Sequence, residues 1–235
     1  MSIMGNARHR SDSLINRSNL RDIVVVLSCI LALFYPANDT KIIISLLLLA
    51  TGCFLHLLVK GVLIRNTVLC KGGIYRLTRH PYYTSNYLID LSFCLLSGNS
   101  YLLLAYPFLF FWAYGPTFRK EESYLASRYE DYVQYGLETP QVLPDGHALS
   151  HWRGFLRGFS IKRITANEFA RVMRFWTIAS FMVLLHDVRA EGLAELSPLH
   201  ARDSDGFAFL ILFMSLAFVQ FIMSRRAKGL ATRST

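Results

Sequence analysis

Two short segments of the chain combine charged and aromatic residues in a way that could bind a small ionic molecule. The first reads Gly72-Gly73-Ile74-Tyr75-Arg76-Leu77-Thr78-Arg79-His80-Pro81-Tyr82-Tyr83. Its glycines allow the backbone to approach a ligand closely, and Pro81 suits the first turn of a helix. Free backbone N–H groups at that helix start, together with Arg79 and His80, would form a site for a carboxylate or phosphate. The alternative is a basic loop beside a membrane, with its tyrosines forming an aromatic belt.

The second segment is an acidic pair at the start of a predicted helix, Arg119-Lys120-Glu121-Glu122. The residues that share one face of this helix are Leu125, Tyr129 and Tyr132. Because Glu121 and Glu122 flank that face, at least one carboxylate is expected to point toward the packed side. A buried carboxylate needs a partner, and Arg79 is the candidate. The alternative is that the acidic pair only interacts favourably with the helix dipole.

The composition favours a membrane protein. Of 235 residues, 53% are hydrophobic and 17% are charged, with a mean hydropathy of +0.32; a soluble domain has about 25% charged residues. These values exclude a disordered chain, a collagen-like repeat and a disulfide scaffold. The net charge of +9 would suggest nucleic acid, but the basic residues flank apolar runs, so no nucleic-acid partner is expected. The four cysteines are predicted to be small buried side chains, and no metal site is expected.

Six apolar runs predict an all-α, polytopic membrane helix bundle, since a membrane-spanning helix needs about 20 apolar residues. The predicted spans are 23–35, 42–59, 82–97, 101–118, 175–186 and 207–224. The turn at Gly98-Asn99-Ser100 separates the third span from the fourth. The two shorter runs, 23–35 and 175–186, are counted because arginines beside them can reach the membrane surface.

The distribution of basic residues predicts the orientation of these spans. Segments 1–22, 60–81, 119–174 and 225–235 carry 22 of the 25 lysines and arginines. Since cytosolic loops are rich in Lys and Arg, both termini are expected in the cytosol. The segments 72–83 and 119–122, here called the first and second chemical segments, then both lie on the cytosolic face. The second is expected in an amphipathic helix over 119–135. The predicted parts are a tail (1–22), a core holding the site (23–168) and a C-terminal helix pair (169–235).

Taken in order, the two segments resemble the isoprenylcysteine carboxyl methyltransferase and phospholipid methyltransferase superfamily. The pattern is Gly-x-Tyr-x-x-x-Arg-His-Pro-x-Tyr, a helical hairpin, and then Glu-Glu-x-x-Leu with spaced tyrosines, over about residues 60–144. The matching residues are Gly73, Tyr75, Arg79, His80, Pro81, Tyr83, Glu121, Glu122, Leu125, Tyr132 and Tyr135. The chain departs from the family at Gln141, where relatives often have an arginine.

The resemblance implies an integral membrane methyltransferase that uses S-adenosylmethionine and takes a lipid or prenylated-cysteine acceptor from the membrane. The residues it implies for cofactor binding are Gly73, Tyr75, Arg79, His80, Tyr83, Glu122 and Tyr132. The residues it implies for catalysis are Arg79, Glu121 and Glu122. The host membrane would be a bacterial inner membrane or an endoplasmic reticulum.

The identity of the acceptor stays open at this point. A C-terminal carboxylate is already ionised at pH 7 and needs only a cation to hold it. A phospholipid amine must first lose a proton, for which Glu121 or Glu122 would be the base. A carboxylate acceptor corresponds to carboxyl O-methylation, and an amine acceptor corresponds to phospholipid N-methylation. A small transporter or membrane scaffold is a non-enzymatic alternative, and its only support is that two polar residues, Asp90 and His56, lie inside predicted spans. Asp90 is expected to have either a functional role or a structural hydrogen bond. His56 is expected to make one buried hydrogen bond.

Overall fold

The described residues of the computed structural model, 19–63, 69–150, 153–191 and 206–231, are helical and contain no strand. The helices are α1 (Leu20–Ala32), α2 (Asp39–Val62), α3 (Pro81–Leu96), α4 (Ser100–Arg128), α5 (Tyr132–Glu138), α6 (Gly146–Ser150), α7 (Ala166–Glu191) and α8 (Gly206–Ala231). Short 3₁₀ turns occupy Gly73–Arg76 and Ile161–Arg163. The all-α prediction is confirmed. Most of the predicted tail (1–18), residues 64–68, 151–152 and 192–205, and the last four residues lie outside the described residues.

Two helices among the described residues are long and apolar enough to cross a membrane. They are α2 and the segment Ala166–Ala190 of α7. The apolar part of α8, Leu210–Ile222, is shorter than a full span. The helix α3 has only 16 residues, and α4 contains two prolines and a charged C-terminal third. The six predicted spans are therefore not confirmed. Among the described residues, the fold supports two helices of membrane-crossing length.

The turn between α3 and α4 lies where the sequence predicts it. Gly98 has a φ of +74°, and a Cβ atom there would lie 2.6 Å from the carbonyl oxygen of Tyr35. Only glycine adopts this left-handed conformation so close to another backbone without strain. The next residue, Asn99, accepts a hydrogen bond of 2.9 Å from the backbone N–H of Leu102 and so caps the start of α4.

The prediction of a separate helix over 119–135 is wrong. The helix α4 continues without a break through residue 119 to Arg128, and its 29 residues span about 43 Å. The segment contains no Gly or Pro between 119 and 128 and consists largely of good helix formers. The backbone becomes extended at Tyr129, and α5 begins at Tyr132. Glu121 and Glu122 therefore lie on a rigid extension of the predicted fourth span.

The helix α3 lies at the centre of the fold, with α1, α2, α4 and α7 packed around it. It approaches α2 closely, because a Cβ atom at Gly52 would lie 2.7 Å from the side chain of Ile89. On its other side α4 contributes a buried stripe at helical spacing: Leu102, Tyr106, Phe110, Tyr114 and Phe118. The outward faces are apolar as well; Phe108 on α4 is 79% exposed and Leu47 on α2 is 63% exposed. Such a surface is typical of proteins that contact lipid or another apolar partner.

Both polar residues singled out in the predicted spans have internal partners. Asp90 is fully buried and accepts hydrogen bonds from Arg21 Nε (2.6 Å) and from the Tyr106 hydroxyl (3.0 Å). Of the two roles left open for Asp90, the contacts support the structural one, and Arg21 belongs to α1 rather than to a tail. The predicted hydrogen bond of His56 is confirmed, since its Nε2 lies 2.8 Å from Glu168 Oε2.

Candidate cofactor cavity

The segment that carries Arg79 and His80 is fixed by main-chain hydrogen bonds to the connector after α5. The N–H of Arg79 donates to the carbonyl of Pro140 (2.8 Å), and the N–H of His80 donates to that of Gln141 (3.0 Å). Pro81 then starts α3 at its first turn, as predicted. The backbone of the first chemical segment is thus held in place before α3 begins.

Glu122 of α4 joins the two chemical segments. Its Oε1 lies 2.8 Å from Arg79 Nη1 and accepts a hydrogen bond of 3.1 Å from Gln141 Nε2. The side chains of Arg79 and Glu122 are 18% and 22% exposed, so the ion pair is largely shielded from water. The prediction that Arg79 partners a carboxylate of the acidic pair is confirmed. Gln141 supplies a neutral donor to the same carboxylate.

Glu121 lies beside this pair and is more accessible, with 41% of its side chain exposed. The hydroxyl of Tyr83 donates a hydrogen bond of 2.5 Å to its Oε1, and its Oε2 lies 3.6 Å from His80 Nδ1. The Tyr83 ring packs edge-on against Phe118 at 5.1 Å between centroids. Tyr83 therefore orients the Glu121 carboxylate while its own ring is fixed by α4.

His80 is expected to be neutral at pH 7. Burial lowers the pKa of His80, although the nearby Glu121 and Glu122 oppose that shift. A neutral imidazole has one donor and one acceptor nitrogen. The Nε2 atom is buried and lies 3.4 Å from Glu122 Oε1 without a well-formed hydrogen bond, and Arg79 Nε is buried with no hydrogen-bond partner among the described residues. Such groups need a partner, and a ligand is one way to supply it.

The two segments enclose a cavity of about 640 Å³, within the range of about 300–1,000 Å³ typical of small-molecule sites. Its charged and aromatic lining residues are Lys60, Tyr75, Arg79, His80, Tyr82, Tyr83, Glu121 and Tyr124. Both signs of charge are present beside several aromatic rings. This lining suits a ligand that carries a carboxylate, a positive charge and an aromatic base.

Four of the predicted cofactor-binding residues line this cavity, and three do not. Tyr75, Arg79, His80 and Tyr83 line it, together with Glu121 from the predicted catalytic set. Glu122, Gly73 and Tyr132 are not among its lining residues, and Glu122 lies behind the wall, holding Arg79. Tyr132 is a buried residue of α5. Cofactor binding by these residues stays a prediction.

Gly73 packs against protein rather than facing the cavity. Its φ is +61°, and a Cβ atom there would lie 2.6 Å from the carbonyl oxygen of Arg157. The segment that contains Arg157 is tied to the end of α2, because Arg163 Nη1 donates to the carbonyl of Gly61 (3.1 Å). The same atom also donates to the carbonyl of Gly158 within its own segment (2.8 Å). Arg163 therefore satisfies a backbone carbonyl near the C-terminus of α2.

Two further lining residues, Lys60 and Tyr124, were not predicted from the sequence. Lys60 was assigned only as the boundary of an apolar span, yet its Nζ lies 4.7 Å from the centre of the Tyr82 ring. Tyr124 follows Glu121 by three residues and so shares its helical face. That spacing was the available signal for Tyr124, and nothing in the local sequence indicated Lys60.

Among the described residues, no three His, Cys, Asp or Glu side chains are grouped as metal ligands. Comparison of the chain with models of protein families, with curated proteins and with solved structures gives no significant match. The geometry of the cavity and the motif resemblance are therefore what support a function, and the resemblance stays a prediction.

Proposed function

We propose that this chain is an integral membrane methyltransferase that transfers a methyl group from S-adenosylmethionine to a lipid or lipidated acceptor, with a carboxylate as the favoured acceptor. The observation that carries the proposal is the meeting of the two segments around one cavity. The ion pair between Arg79 and Glu122 and the hydrogen bond between Tyr83 and Glu121 close the wall between them. The exposed apolar faces of α2 and α4, and the length of α2 and α7, support a membrane location.

The residues present fit this cofactor. Glu121 is anionic and accessible, so it can accept hydrogen bonds from an ammonium group or ribose hydroxyls. Arg79 and His80 line the cavity and carry N–H donors that a carboxylate could accept hydrogen bonds from. The faces of Tyr75 and Tyr83 can stabilise a sulfonium cation. When bound, S-adenosylmethionine would supply an electrophilic methyl group.

The protein's own contribution is positioning. Glu122 holds Arg79, Tyr83 holds Glu121, and the connector at 139–142 holds the backbone of residues 79 and 80. Correct orientation and the exclusion of water are the main requirements of a displacement reaction whose electrophile is already activated. A carboxylate acceptor would need no base, so Glu121 would then serve binding alone.

Isothermal titration of the purified protein with S-adenosylmethionine tests the proposal. The wild type is expected to bind, and Glu121→Gln is expected to bind about tenfold more weakly, since it loses one charge-assisted hydrogen bond. Glu130→Gln removes an exposed carboxylate outside the cavity and is the matched control, expected to bind like the wild type. No binding by the wild type, or equal binding by Glu121→Gln, contradicts the proposal.

Labelled cofactor supplied to membranes with and without the protein distinguishes the acceptors. Methyl label in a base-labile ester indicates a carboxylate, whereas label in a base-stable headgroup indicates an amine. The structure gives little support to the transporter alternative, because Asp90 and His56 both have internal partners. A protein that transports a solute and leaves labelled cofactor unconsumed would favour that alternative.

A further inference from the structure

A loop before α7, residues 153–163, concentrates positive charge on the surface, and we name it the basic loop. It carries four basic residues and no acidic one. It does not line the candidate cofactor cavity, and it lies outside the part of the chain that resembles the methyltransferase superfamily. The basic residues, all of them exposed, are Arg153, Arg157, Lys162 and Arg163. Exposed charge of a single sign favours an anionic partner.

Contacts with the end of α2 hold the basic loop in a fixed position. The N–H of Ser160 donates a hydrogen bond of 3.0 Å to the carbonyl of Gly61. The ring of Phe159 packs so closely on Gly61 that a Cβ atom there would overlap it. The carbonyl of Arg157 packs in turn against Gly73. The loop therefore has a defined inner side, and its charges lie on a defined outer surface.

Three of the four basic side chains have no counter-charge within the fold. Arg163 donates to backbone carbonyls at the end of α2 and within the loop, so it serves the fold itself. Arg153, Arg157 and Lys162 make no ion pair with a carboxylate in the part of the chain that the structure describes. Their charges are therefore available to a partner outside the protein.

Exposed apolar side chains alternate with these charges. Leu156 is 51% exposed, Phe159 is 41% exposed and Ile161 is 65% exposed. Phe155, in contrast, packs against the buried cluster around Leu58. The packing of the loop thus uses one apolar side chain and leaves others facing outward. Apolar side chains interspersed with Lys and Arg are typical of segments that lie in the interface of a membrane.

The loop is joined to both helices of membrane-crossing length. It is bonded to the end of α2, which stops at Val62, and α7 begins shortly after the loop, at Ala166. A helix that just crosses the hydrocarbon core has its ends at the headgroups. In a chain that crosses the membrane through α2 and α7, the basic loop therefore lies at the depth of the headgroups.

We propose that the basic loop binds anionic phospholipid headgroups at the membrane surface. Arg153, Arg157 and Lys162 contact the phosphates, and Leu156 and Ile161 insert beside the acyl chains. Each basic side chain near such a surface contributes up to about fivefold in affinity. The inference rests on the membrane location in the proposed function and not on methyl transfer.

Native mass spectrometry of the purified protein, with equal amounts of phosphatidylglycerol and phosphatidylcholine of the same acyl chains, tests the charge preference. The wild type is expected to retain phosphatidylglycerol about tenfold more often. Replacing Arg153, Arg157 and Lys162 together by Gln is expected to remove most of that preference, and Arg157→Gln alone is expected to reduce it about twofold to fivefold. Because these side chains are exposed, the fold is expected to tolerate the changes. Arg128→Gln, an exposed arginine at the end of α4, is the matched control and is expected to keep the preference.

Quenching by brominated acyl chains tests the insertion of the apolar side chains. In lipid discs that contain brominated phosphatidylglycerol, Ile161→Trp is expected to show quenched emission beyond that of the three native tryptophans. Ser127→Trp, an exposed position on α4, is the control and is expected to show no added quenching. This readout does not depend on lipid selectivity, so it checks the depth of the loop separately.

Equal retention of the two lipids by the wild type, an unchanged preference in the triple variant, or no added quenching of Ile161→Trp overturns the proposal. Titration of the same preparations with S-adenosylmethionine separates this claim from the methyltransferase. Lipid selectivity without cofactor binding refutes methyl transfer alone, and cofactor binding without lipid selectivity refutes this surface alone.

Discussion

The ion pair between Arg79 and Glu122 can be compared with a second pair of equal length in a different environment. Both Arg79–Glu122 and Lys71–Asp131 have nitrogen–oxygen distances of 2.8 Å. The side chains of the first pair are 18% and 22% exposed, whereas those of the second are 39% and 79% exposed. The two pairs therefore allow a shielded ion pair to be compared with an exposed one at the same nitrogen–oxygen distance.

A double-mutant cycle measures each interaction. Removing one partner of a buried pair costs about 3–5 kcal/mol, whereas exposed pairs contribute about 0–1 kcal/mol. Since the Arg79–Glu122 pair lies between these limits, we expect a coupling free energy of about 1.5 kcal/mol from Arg79→Gln, Glu122→Gln and the double variant. The cycle with Lys71→Gln and Asp131→Asn is expected to show no coupling above the error of the measurement.

Denaturant unfolding in detergent micelles, followed by the fluorescence of the three tryptophans, provides the free energies. A coupling free energy for Arg79 and Glu122 no larger than that of the exposed pair would refute the reasoning. In that case the two chemical segments would be adjacent without stabilising each other, and Glu122 would not be holding Arg79 at the cavity wall.

Three further predictions concern neighbouring groups. Tyr83→Phe is expected to weaken S-adenosylmethionine binding about threefold to tenfold, because Glu121 is then less well oriented but stays partly solvated; calorimetry showing unchanged affinity would contradict this. Burial lowers the pKa of His80 below the ordinary value of 6.5. Below about pH 6.5 the unfolded chain therefore binds more protons than the folded chain, and the free energy of unfolding falls as the pH falls. His80→Gln should lose that component between pH 7.5 and 5.5, and an identical pH dependence in both proteins would show that another group is responsible. Asp90→Asn is expected to reduce the free energy of unfolding by about 3–5 kcal/mol by leaving Arg21 without its counter-charge; a change below about 1 kcal/mol would mean that the pair is not buried as described.

Local signals predicted much of the helical fold. The turn at Gly98 and the start of α3 at Pro81 follow from the conformations that glycine and proline favour, and both were correct. The end of α4 was not predictable from hydropathy. Residues after 118 become charged, which suggested a new helix, but charge does not interrupt a helix, and α4 continues to Arg128.

The candidate site was predictable where residues act through type and spacing. Arg79 was predicted as the partner of either Glu121 or Glu122, because a cation and a half-buried carboxylate need each other. Lys60 was not predictable as a lining residue, because its place depends on how α2 packs against α3, and that packing joins residues far apart in the sequence. The packing of Gly73 against another backbone was not predictable, because a glycine that admits a ligand and one that admits another backbone have the same local pattern.

The proposed function requires that the cavity between the two segments binds S-adenosylmethionine. Photo-crosslinking of the membrane-embedded protein with a photoactivatable analogue of the cofactor, followed by peptide mass spectrometry, tests it directly. Label that unmodified cofactor displaces is expected within residues 75–83 or 121–125. Label confined to other residues, or label that unmodified cofactor does not displace, would contradict the claim.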